Sequence, residues 1–357
     1  MLKAIVVGTG FGCRIQVPAL RGAGFEVAAL VGSNPERTAE RAKANGVPGA
    51  YTDLGEAIDK TGADLVAVST TPHTHGLFAR QALAKGCHVL CEKPFTRDAA
   101  EAEALLTMAE AAGKVHMLGH EFRFIPDRAT AARALAEGMI GEVRAISFVQ
   151  LLPHIPHNED QMPEWWFDPK EGGGWLGASM PHLADQLRQS AGEMTSLSAS
   201  LGRVTLSRGT ADDTFSLRFA MENGAEGVIQ YCAGVFGPML DVAHFAGSKG
   251  SLWIEQGKVM LADKSGTREV PVPDDLKLPP PPPITADPRH ETQRWKMLVG
   301  MELAPYTLLC SALKARILGD PALSRVEPAT FADGLAAMKI IDAARASAAD
   351  GGKVITL

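Results

Sequence analysis

The sequence of 357 residues has few cysteines, no excess of basic residues and no long apolar run. Its five cysteines are scattered without metal-ligand spacing, which favours reduced thiols and predicts no structural disulfide. A net charge of −6 argues against a protein that binds nucleic-acid backbones. No stretch is apolar for long enough to span a membrane, and the chain does not begin with the three-part pattern of a secretory signal. We therefore expect a cytoplasmic protein with neither membrane nor nucleic acid as a partner.

A chain of this length suits two domains. Its first third alternates helical patterns with the apolar runs "KAIVVG", "FEVAALVG", "DLVAVST" and "HVLCEK". Strands that are apolar on both faces and separated by helices predict a doubly wound parallel sheet, covered on each side. Later segments alternate as strands of a second sheet: "RAISFVQLL", "DTFSLRFAM", "AEGVIQYCA" and "GSLWIEQGKVMLA". The expected fold class is α/β.

A glycine turn, "GTGFGC", follows the first predicted strand and opens a helix. Gly8 and Gly10 match the first two glycines of the dinucleotide fingerprint, while Cys13 occupies the third position with Gly12 beside it. Ligands of doubly wound sheets bind at the carboxyl ends of the strands. The residues predicted at such ends are Gly8, Ser69, Thr70, Glu92 and Lys93.

The cofactor preference is predicted from the end of the second strand. NAD-preferring sites usually carry an acidic residue there, which binds the ribose 2'-hydroxyl. This sequence has "VGSNPER", without an acid at Gly32, Ser33 or Asn34. Ser33 and Arg37 are suited to a 2'-phosphate instead, so NADP(H) is the preferred cofactor and NAD(H) is possible.

Four motifs in order, "GTGFG", "STTPHTH", "HVLCEKPFT" and "GHEFRF", resemble the glucose-fructose oxidoreductase / inositol dehydrogenase family of NAD(P)-dependent oxidoreductases. "GMIGEVRAISF" and "GGGWLGASMPHLADQ" extend the resemblance over nearly the whole chain. The resemblance implies an NAD(P)-binding Rossmann domain, residues 1–124. It also implies a substrate-binding α/β domain, residues 125–357, with a large, mostly antiparallel open sheet. We expect a homo-oligomer, a dimer or tetramer, that forms through this sheet.

The resemblance implies that Lys93 contacts the substrate oxygen and the nicotinamide ribose. A cation beside a carbinol oxygen stabilises the alkoxide that develops as hydride leaves. His182 matches the general acid/base of the family, and Asp185 lies on the same helix face, where it can orient the imidazole or the substrate. One departure is clear: Ala178 and Met180 stand where many members have Asp and Gly.

Further cofactor contacts are implied for the residues of the two loops and the strand tip, namely Gly8, Gly10, Phe11, Gly12, Ser69, Thr70, Pro72, His75, Glu92 and Lys93. The insertion "LLPHIPHNEDQMPEWWFDP" is interpreted as a substrate lid, with Trp165 or Trp166 stacking on a ring and His154 or His157 hydrogen-bonding to it. An oligomer contact or a packed loop is the alternative. Arg123 either reaches the substrate or ties the domains together, and we favour the tie.

No metal site is predicted, because neither His73 with His75 nor His154 with His157 has enough further ligands. Four late residues are further candidates for the pocket without an assigned place: Arg289, His290, Arg294 and Tyr306.

The sequence thus predicts an oxidoreductase that transfers hydride between a nicotinamide and a hydroxyl or carbonyl carbon of a small sugar-like, polyol or cyclic substrate. One alternative is a redox-neutral sugar-modifying enzyme that uses bound cofactor transiently. The other is a catalytically silent, NAD(P)-sensing regulatory protein.

Overall fold

A computed structural model describes residues 1–284, 293–320 and 324–357. Its helices are α1 (Val17–Gly22), α2 (Pro35–Ala44), α3 (Leu54–Thr61), α4 (Pro72–Ala84), α5 (Ala99–Ala112), α6 (Pro126–Ala136), α7 (His154–Asn158), α8 (Trp175–Ala191), α9 (Gln293–Ile317) and α10 (Phe331–Ala349). A π-helical turn, Gly12–Gln16, leads directly into α1. No helix in these described ranges is both long and apolar enough to cross a bilayer.

The strands are β1 (Lys3–Val7), β2 (Glu26–Val31), β3 (Gly49–Tyr51), β4 (Leu65–Val68), β5 (His88–Cys91), β6 (His116–Leu118), β7 (Val143–Leu151), β8 (Met194–Gly202), β9 (Thr214–Met221), β10 (Glu226–Cys232), β11 (Leu240–Gly247), β12 (Gly250–Glu255), β13 (Lys258–Asp263), β14 (Gly266–Val270) and β15 (Ile355–Thr356). They form a six-stranded and a nine-stranded sheet. The predicted α/β class, with a Rossmann-type sheet and a second, mostly antiparallel sheet, is confirmed.

The chain divides into two compact units. The first comprises Met1–Ile125 and Leu278–Leu335, and the second comprises Pro126–Lys277 and Ala336–Leu357. The late segment of the first unit contains α9, whose Leu303 and Leu309 are buried in the same core as the first strands. The predicted functional division between residues 124 and 125 stays a prediction, since the compact units are discontinuous in sequence.

The sheet of the first unit is entirely parallel, with strand order β3-β2-β1-β4-β5-β6. Its register aligns the last residues of five neighbouring strands, which are Val31, Val7, Val68, Cys91 and Leu118. The residues that follow therefore lie along one edge of the sheet: Gly32, Gly8, Ser69, Glu92 and Gly119. This edge, which we call the carboxyl edge, is where doubly wound sheets bind ligands.

Local sequence explains where the surrounding helices begin and end. The side chains of Asn34, Asp53 and Asp98 each accept a hydrogen bond from the backbone N–H three residues later, at 2.7–2.8 Å. Such caps satisfy donors that an isolated helix start would leave unpaired. At the opposite ends, Gly62 and Gly113 adopt the left-handed conformation that terminates α3 and α5.

The second unit holds the nine-stranded sheet, with order β14-β13-β12-β11-β7-β10-β9-β8-β15. β7 and β10 pair in parallel, and the other neighbours pair antiparallel. α6 and α8 pack on this sheet. Along β10 the residues alternate between exposed and buried, which is expected where one face is covered and the other is open. Assembly of a homo-oligomer through this sheet stays a prediction.

Candidate active site

The glycine turn has the shape that a dinucleotide site requires at Gly8. This residue has φ +106°, and a Cβ atom there would lie 2.5 Å from Ser69 O. The backbone N–H of Gly8 also donates to Val31 O at 2.9 Å. Gly12 is equally confined, because its Cβ would lie 2.6 Å from both Ser69 Oγ and Val6 Cγ1. The close packing of helix on sheet therefore rests on Gly12, while Cys13, at the third fingerprint position, is a buried core residue.

Gly10 differs from Gly8 and Gly12, because a Cβ atom at Gly10 would meet nothing within 4 Å. The chain's own packing leaves this position open. In the dinucleotide fingerprint the second glycine lets the backbone approach the pyrophosphate, so the turn fits the cofactor. The Phe11 ring packs edge-on against Tyr306, with centroids 5.8 Å apart.

Gly32, the residue directly after β2, has no room for an acidic side chain. A Cβ atom at Gly32 would lie 2.5 Å from Thr38 Oγ1. Ser33 and Arg37 are exposed, and Arg37 Nη2 donates to Ser33 Oγ at 3.4 Å. Arg41, one turn further along α2, donates to Thr9 O (2.8 Å) and Thr9 Oγ1 (2.6 Å). The glycine turn is thereby fastened to α2 by a residue that the sequence did not single out.

The loop after β4 is held by hydrogen bonds within the first unit. Ser69 Oγ lies 3.2 Å from Val7 O, and Thr74 Oγ1 donates to Thr70 Oγ1 at 2.7 Å. His75 is 1% exposed, with Nδ1 2.9 Å from Pro94 O and Nε2 3.2 Å from Thr70 O. Burial lowers the pKa of His75. The imidazole thus joins two backbone loops, and direct cofactor contacts of His75 and of Pro72, the first residue of α4, stay predictions.

The tip of β5 carries Glu92 and Lys93. Glu92 is buried, and its Oε1 accepts hydrogen bonds from Tyr306 Oη at 2.5 Å and from Gln16 Nε2 at 3.2 Å. Gln16 Nε2 lies 2.9 Å from Tyr306 Oη, which closes a triangle of side chains. Burial raises the pKa of Glu92, and the hydrogen bond from Tyr306 partly opposes this effect. Lys93, the next residue, is half-buried.

Two more carboxyl groups lie near Lys93. Glu121 begins the 3₁₀ turn that follows β6, and Glu302 lies on α9, one turn before Tyr306. Burial raises the pKa of Glu121 well above its ordinary value, and the neighbouring Glu302 raises it further. The pKa of Glu302 is raised to about 7, first by burial, while the charge of Lys93 opposes the rise. Sequence reasoning missed both residues.

Arg123 forms hydrogen bonds and an ion pair with residues of the first unit. Its guanidinium donates to Glu327 O at 2.9 Å and to Asp333 Oδ1 at 2.8 Å, and the residue is 6% exposed. This ion pair ties the N-terminal segment to the late segment of the same unit. The side chain therefore has a structural role, and a substrate contact of Arg123 stays a prediction.

In the second unit, α8 carries His182 and Asp185 on one face, three residues apart. Both are buried, at 7% and 3% exposed. Ala178 and Met180 are buried in the same helix, so no carboxylate stands one turn before the histidine. The replacement of the family's Asp by Ala178 therefore changes the side chains that surround His182 on α8.

The glycine run before α8 is needed because neighbouring atoms leave no room for side chains there. A Cβ atom at Gly173 would lie 2.3 Å from Trp165 O, and one at Gly174, which has φ +93°, would lie 2.3 Å from Asp212 Oδ1. The Asp212 carboxylate accepts a hydrogen bond from Leu176 N at 2.7 Å, in the first turn of α8. This loop carboxylate thus caps the helix that carries His182.

Burial raises the pKa of Asp212 from 3.8 to about 6. The folded protein binds this proton more tightly than the unfolded chain, so stability from this group is lost as the pH rises from about 4 to about 6. The shift corresponds to about 3 kcal/mol of unfolding free energy. We predict that Asp212→Asn, which keeps an oxygen acceptor for Leu176 N, removes this decline in urea unfolding between these pH values.

The matched control is Asp160→Asn, at an exposed position. Its unfolding free energy should follow the wild-type pH dependence. Parallel curves for wild type and Asp212→Asn would contradict the assigned role of burial.

Of the four predicted lid residues, His154, Trp165 and Trp166 lie in one group of rings. His154, Trp166 and Trp175 form a triangle with ring centroids 5.7–5.9 Å apart, and Trp165 lies 5.6 Å from Trp166. We call these four residues the aromatic cluster. Trp175 was not singled out from the sequence, although it follows the glycine run directly. His157 is exposed and instead contacts Phe236, with centroids 6.2 Å apart.

Among the late candidates, Tyr306 lies at the β5 tip, through its hydrogen bond to Glu92. Arg289 and His290 lie outside the described residues, and the side chain of Arg294 does too. Within the described ranges, no group of three or more His, Cys, Asp or Glu residues has an arrangement that holds a metal ion.

The parallel sheet, its strand order and the glycine turn are those of a dinucleotide-binding protein of the Rossmann class. A family profile described as "Oxidoreductase family, NAD-binding Rossmann fold" matches residues 2–120. A second profile, "GFO/IDH/MocA C-terminal domain", matches residues 129–253. The chain belongs to the glucose-fructose oxidoreductase / inositol dehydrogenase family, as its motifs predicted.

Individual relatives are more distant. An uncharacterized oxidoreductase of Synechocystis sp. is 29% identical over 263 residues, which cover 70% of this chain and 71% of that protein. The 1,5-anhydro-D-fructose reductase of Ensifer adhaerens is 33% identical over 175 residues, or 48% of this chain and 51% of that protein. A solved structure of levoglucosan dehydrogenase, in complex with NADH and levoglucosan, has a TM-score of 0.82 at 22% identity and covers 99% of both chains. The last comparison shows a shared fold.

Proposed function

We propose that the protein is an NAD(P)-dependent oxidoreductase that transfers hydride between the nicotinamide and a hydroxyl or carbonyl carbon of a small cyclic sugar. The main support is Lys93, which follows β5 on the same carboxyl edge as the glycine turn after β1, with β4 between the two strands. When bound, the cofactor supplies the hydride acceptor or donor. The residues of the chain have to bind the sugar, polarise its oxygen and move one proton.

Lys93 is proposed to polarise the reacting oxygen. An ammonium group beside a carbinol oxygen stabilises the negative charge that develops when hydride leaves, and it stabilises a carbonyl oxygen in the reverse direction. The hydrogen bonds from Gln16 and Tyr306 hold Glu92, and Glu92 directly precedes the lysine. They support this role because a fixed strand tip fixes the start of the lysine side chain.

His182 is proposed to exchange the hydroxyl proton as a general acid/base, with Asp185 orienting the imidazole or the substrate. The support is their common face on α8 and the cap that Asp212 provides at the start of that helix. Ala178 stands where many members of the family have an aspartate, so any carboxylate that assists the imidazole has to come from another position, such as Asp185.

A cyclic sugar is proposed as the substrate class. One relative is a reductase of 1,5-anhydro-D-fructose, and the fold matches a dehydrogenase bound to levoglucosan. The aromatic cluster offers flat apolar faces with polar edges, which suits sugar rings that carry C–H groups on one face and hydroxyls at the rim. Trp165, Trp166 and His154 are proposed to contact the sugar from this cluster, while the His157 ring contacts Phe236.

NADP(H) is proposed as the preferred cofactor. Gly32 leaves no room for the acid that binds a free 2'-hydroxyl, while Ser33 and Arg37 are exposed next to it. We predict that Arg37→Ala raises the dissociation constant for NADPH by about tenfold, the loss expected for one hydrogen bond to a charged group, and leaves that for NADH unchanged. Fluorescence titration with both nucleotides measures the effect. Lys43→Ala, which removes an exposed charge from the same helix, is the control, and equal effects of the two substitutions would contradict the phosphate contact.

The proposed function is tested with anhydrosugars, aldoses, inositols and their keto forms, in the presence of NADPH, NADH and the oxidised cofactors. Substrate-dependent absorbance change at the nicotinamide, with a matching product, is the expected result. Product without net cofactor change would point to the redox-neutral alternative. Tight cofactor binding with no product from any sugar would favour the sensor, and no binding of either cofactor would overturn the proposal.

A further inference from the structure

The loop between β8 and β9, residues 203–213, is folded around one buried carboxylate. Asp213 is 0% exposed, and its two oxygens accept hydrogen bonds from three successive backbone N–H groups, those of Val204 (2.8 Å), Thr205 (2.6 Å) and Leu206 (2.8 Å). Thr205 Oγ1 also donates to Gly234 O at 2.7 Å. Hydrogen bonds to a charged acceptor are stronger than neutral ones, so the start of this β8–β9 loop is firmly fixed beside the start of β9 and the end of β10.

The middle of the β8–β9 loop contacts the insertion, residues 151–169, through its backbone. The carbonyl oxygen of Phe167 accepts hydrogen bonds from Thr210 N at 3.0 Å and from Ala211 N at 3.2 Å. Gly209 has φ +72° and lies so close to Phe167 O that a side chain would have no room. The next residue along, Asp212, caps α8. Four successive residues of one loop thus hold both the insertion and the start of the helix that carries the histidine.

Two side chains of the β8–β9 loop hold the insertion at further points. Ser207 donates to Glu159 Oε1 twice, from its backbone N at 2.8 Å and from its Oγ at 2.7 Å. Arg208 Nη1 donates to Glu164 Oε1 at 2.8 Å, and the same guanidinium lies 4.0 Å over the centre of the Phe167 ring. A planar guanidinium can form an ion pair and stack on a ring at once, which an ammonium group cannot do. These contacts bracket the part of the insertion that carries its two tryptophans.

The two tryptophans depend on these contacts for their orientation. Trp165 and Trp166 lie between Glu164 and Phe167 in the sequence, so Arg208 contacts the residue on each side of the pair. All four residues form a single 3₁₀ turn, and both tryptophans are half-buried. A turn this short has few hydrogen bonds of its own, and their geometry is poorer than in an α-helix. Its direction is therefore set by the groups that hold its two ends.

We propose that Arg208 is a positioning residue for the substrate: its contacts on both sides of Trp165 and Trp166 hold the two rings in the orientation that receives the sugar. This inference rests on the proposed function, in which these rings contact the sugar. Arg208 acts through the tryptophans, without contact to the substrate. The buried Asp213 carboxylate keeps the loop in the place from which the arginine acts.

The contact with the ring is expected to contribute more than the ion pair. The side chains of Arg208 and Glu164 are 43% and 83% exposed, and ion pairs between exposed groups are weak and screened by salt. Phe167 is buried, and a guanidinium over a ring keeps its attraction there. Arg208→Lys retains the charge but loses the flat face of the guanidinium. It is therefore expected to preserve only part of the effect of the arginine.

The first test compares the mobility of residues 159–168 in wild type and Arg208→Ala. Three backbone N–H groups in this segment donate to carbonyl oxygens 3.0–3.3 Å away, those of Met162, Trp166 and Asp168. Hydrogen–deuterium exchange read by mass spectrometry should be at least about threefold faster there in the variant, because local opening exposes these groups. Arg268→Ala is the control, since it breaks a similarly exposed ion pair, to Asp263 on the β13–β14 hairpin, and should exchange like wild type in this segment.

The second test measures steady-state kinetics with a reacting sugar. Arg208→Ala is expected to raise KM for the sugar about five- to tenfold, while kcat and the dissociation constant for NADPH stay within about twofold of wild type. Arg208→Lys should have an intermediate KM, and Arg268→Ala a normal one.

Unchanged exchange in Arg208→Ala would overturn the proposal, and so would a KM that equals that of wild type or of Arg268→Ala. A dissociation constant for NADPH that rises as much as KM would also overturn it, because the substitution would then act on the whole protein. If exchange is faster but no sugar reacts, the hold of Arg208 on the insertion is supported and the failure belongs to the proposed function.

Discussion

Replacement of Lys93 by methionine is expected to lower kcat/KM by about 10²–10³-fold, the usual loss when a group that stabilises a developing oxyanion is removed. Methionine keeps an unbranched apolar side chain as far as Cε but lacks the terminal ammonium group. The residue follows β5 and precedes Pro94, and only its end group is lost. Steady-state kinetics with a reacting sugar measure the loss, and fluorescence titration measures NADPH binding separately.

The dissociation constant for NADPH should change much less than kcat/KM, because the glycine turn is untouched. Lys60→Met, at an exposed position near the end of α3, makes the same chemical change away from the carboxyl edge and should behave like wild type. Normal turnover by a folded Lys93→Met protein would end the catalytic interpretation of this lysine. A loss confined to KM would reduce its role to substrate binding.

The parallel sheet was predictable because its strands are buried on both faces and therefore appear as continuous apolar runs. The four strands expected from the sequence correspond to β1, β2, β4 and β5. The two strands that were not predicted, β3 and β6, have three residues each. Runs this short are below the length at which hydrophobic periodicity is informative, and only pairing with a longer neighbour makes them strands.

The second sheet shows the same limit in another way. "GSLWIEQGKVMLA" was interpreted as one alternating segment, but it forms the hairpin of β12 and β13. The turn lies at Gln256 and Gly257, which both adopt positive φ. Glutamine is an uncommon residue for this conformation, so the turn had a weak signal in the sequence.

Residues of the candidate site were predictable where a motif fixes the backbone and not where distant segments meet. Gly8 and Lys93 belong to local patterns. The partnership of Gln16, Glu92 and Tyr306 joins residues separated by up to 290 positions, and it forms because α9 packs into the core of the first unit. Glu302 and Glu121 gain their shifted pKa values from burial, which a single sequence does not display.

The place of α9 in the first compact unit follows from the same packing. Its Leu303, Leu309 and Leu313 are buried in one core with residues of the parallel sheet. The functional division after residue 124 stays a prediction. Burial of apolar side chains stabilises whichever arrangement removes most of them from water, irrespective of the distance along the chain.

Substitution of Gly8 by alanine is expected to lower both stability and cofactor affinity. The residue has φ +106°, where an L side chain is strained by roughly 1–3 kcal/mol, and the added Cβ would lie 2.5 Å from a backbone oxygen, Ser69 O. The backbone between β1 and the loop after β4 therefore has to move. We expect the free energy of unfolding to fall by at least about 2 kcal/mol and the dissociation constant for NADPH to rise by at least about tenfold. Urea unfolding and fluorescence titration measure the two effects.

Gly10→Ala is the matched comparison in the same turn. Its Cβ would meet no atom of the protein within 4 Å, and its φ lies outside the left-handed region. Stability should stay within about 1 kcal/mol of wild type, because alanine meets no clash here and reduces the freedom of the unfolded chain. Cofactor affinity should still fall, because the methyl group fills the space that the fingerprint reserves for the pyrophosphate. A Gly10→Ala protein that binds NADPH as tightly as wild type would show that the dinucleotide does not approach this turn, while a loss of binding at unchanged stability separates the role of Gly10 from that of Gly8.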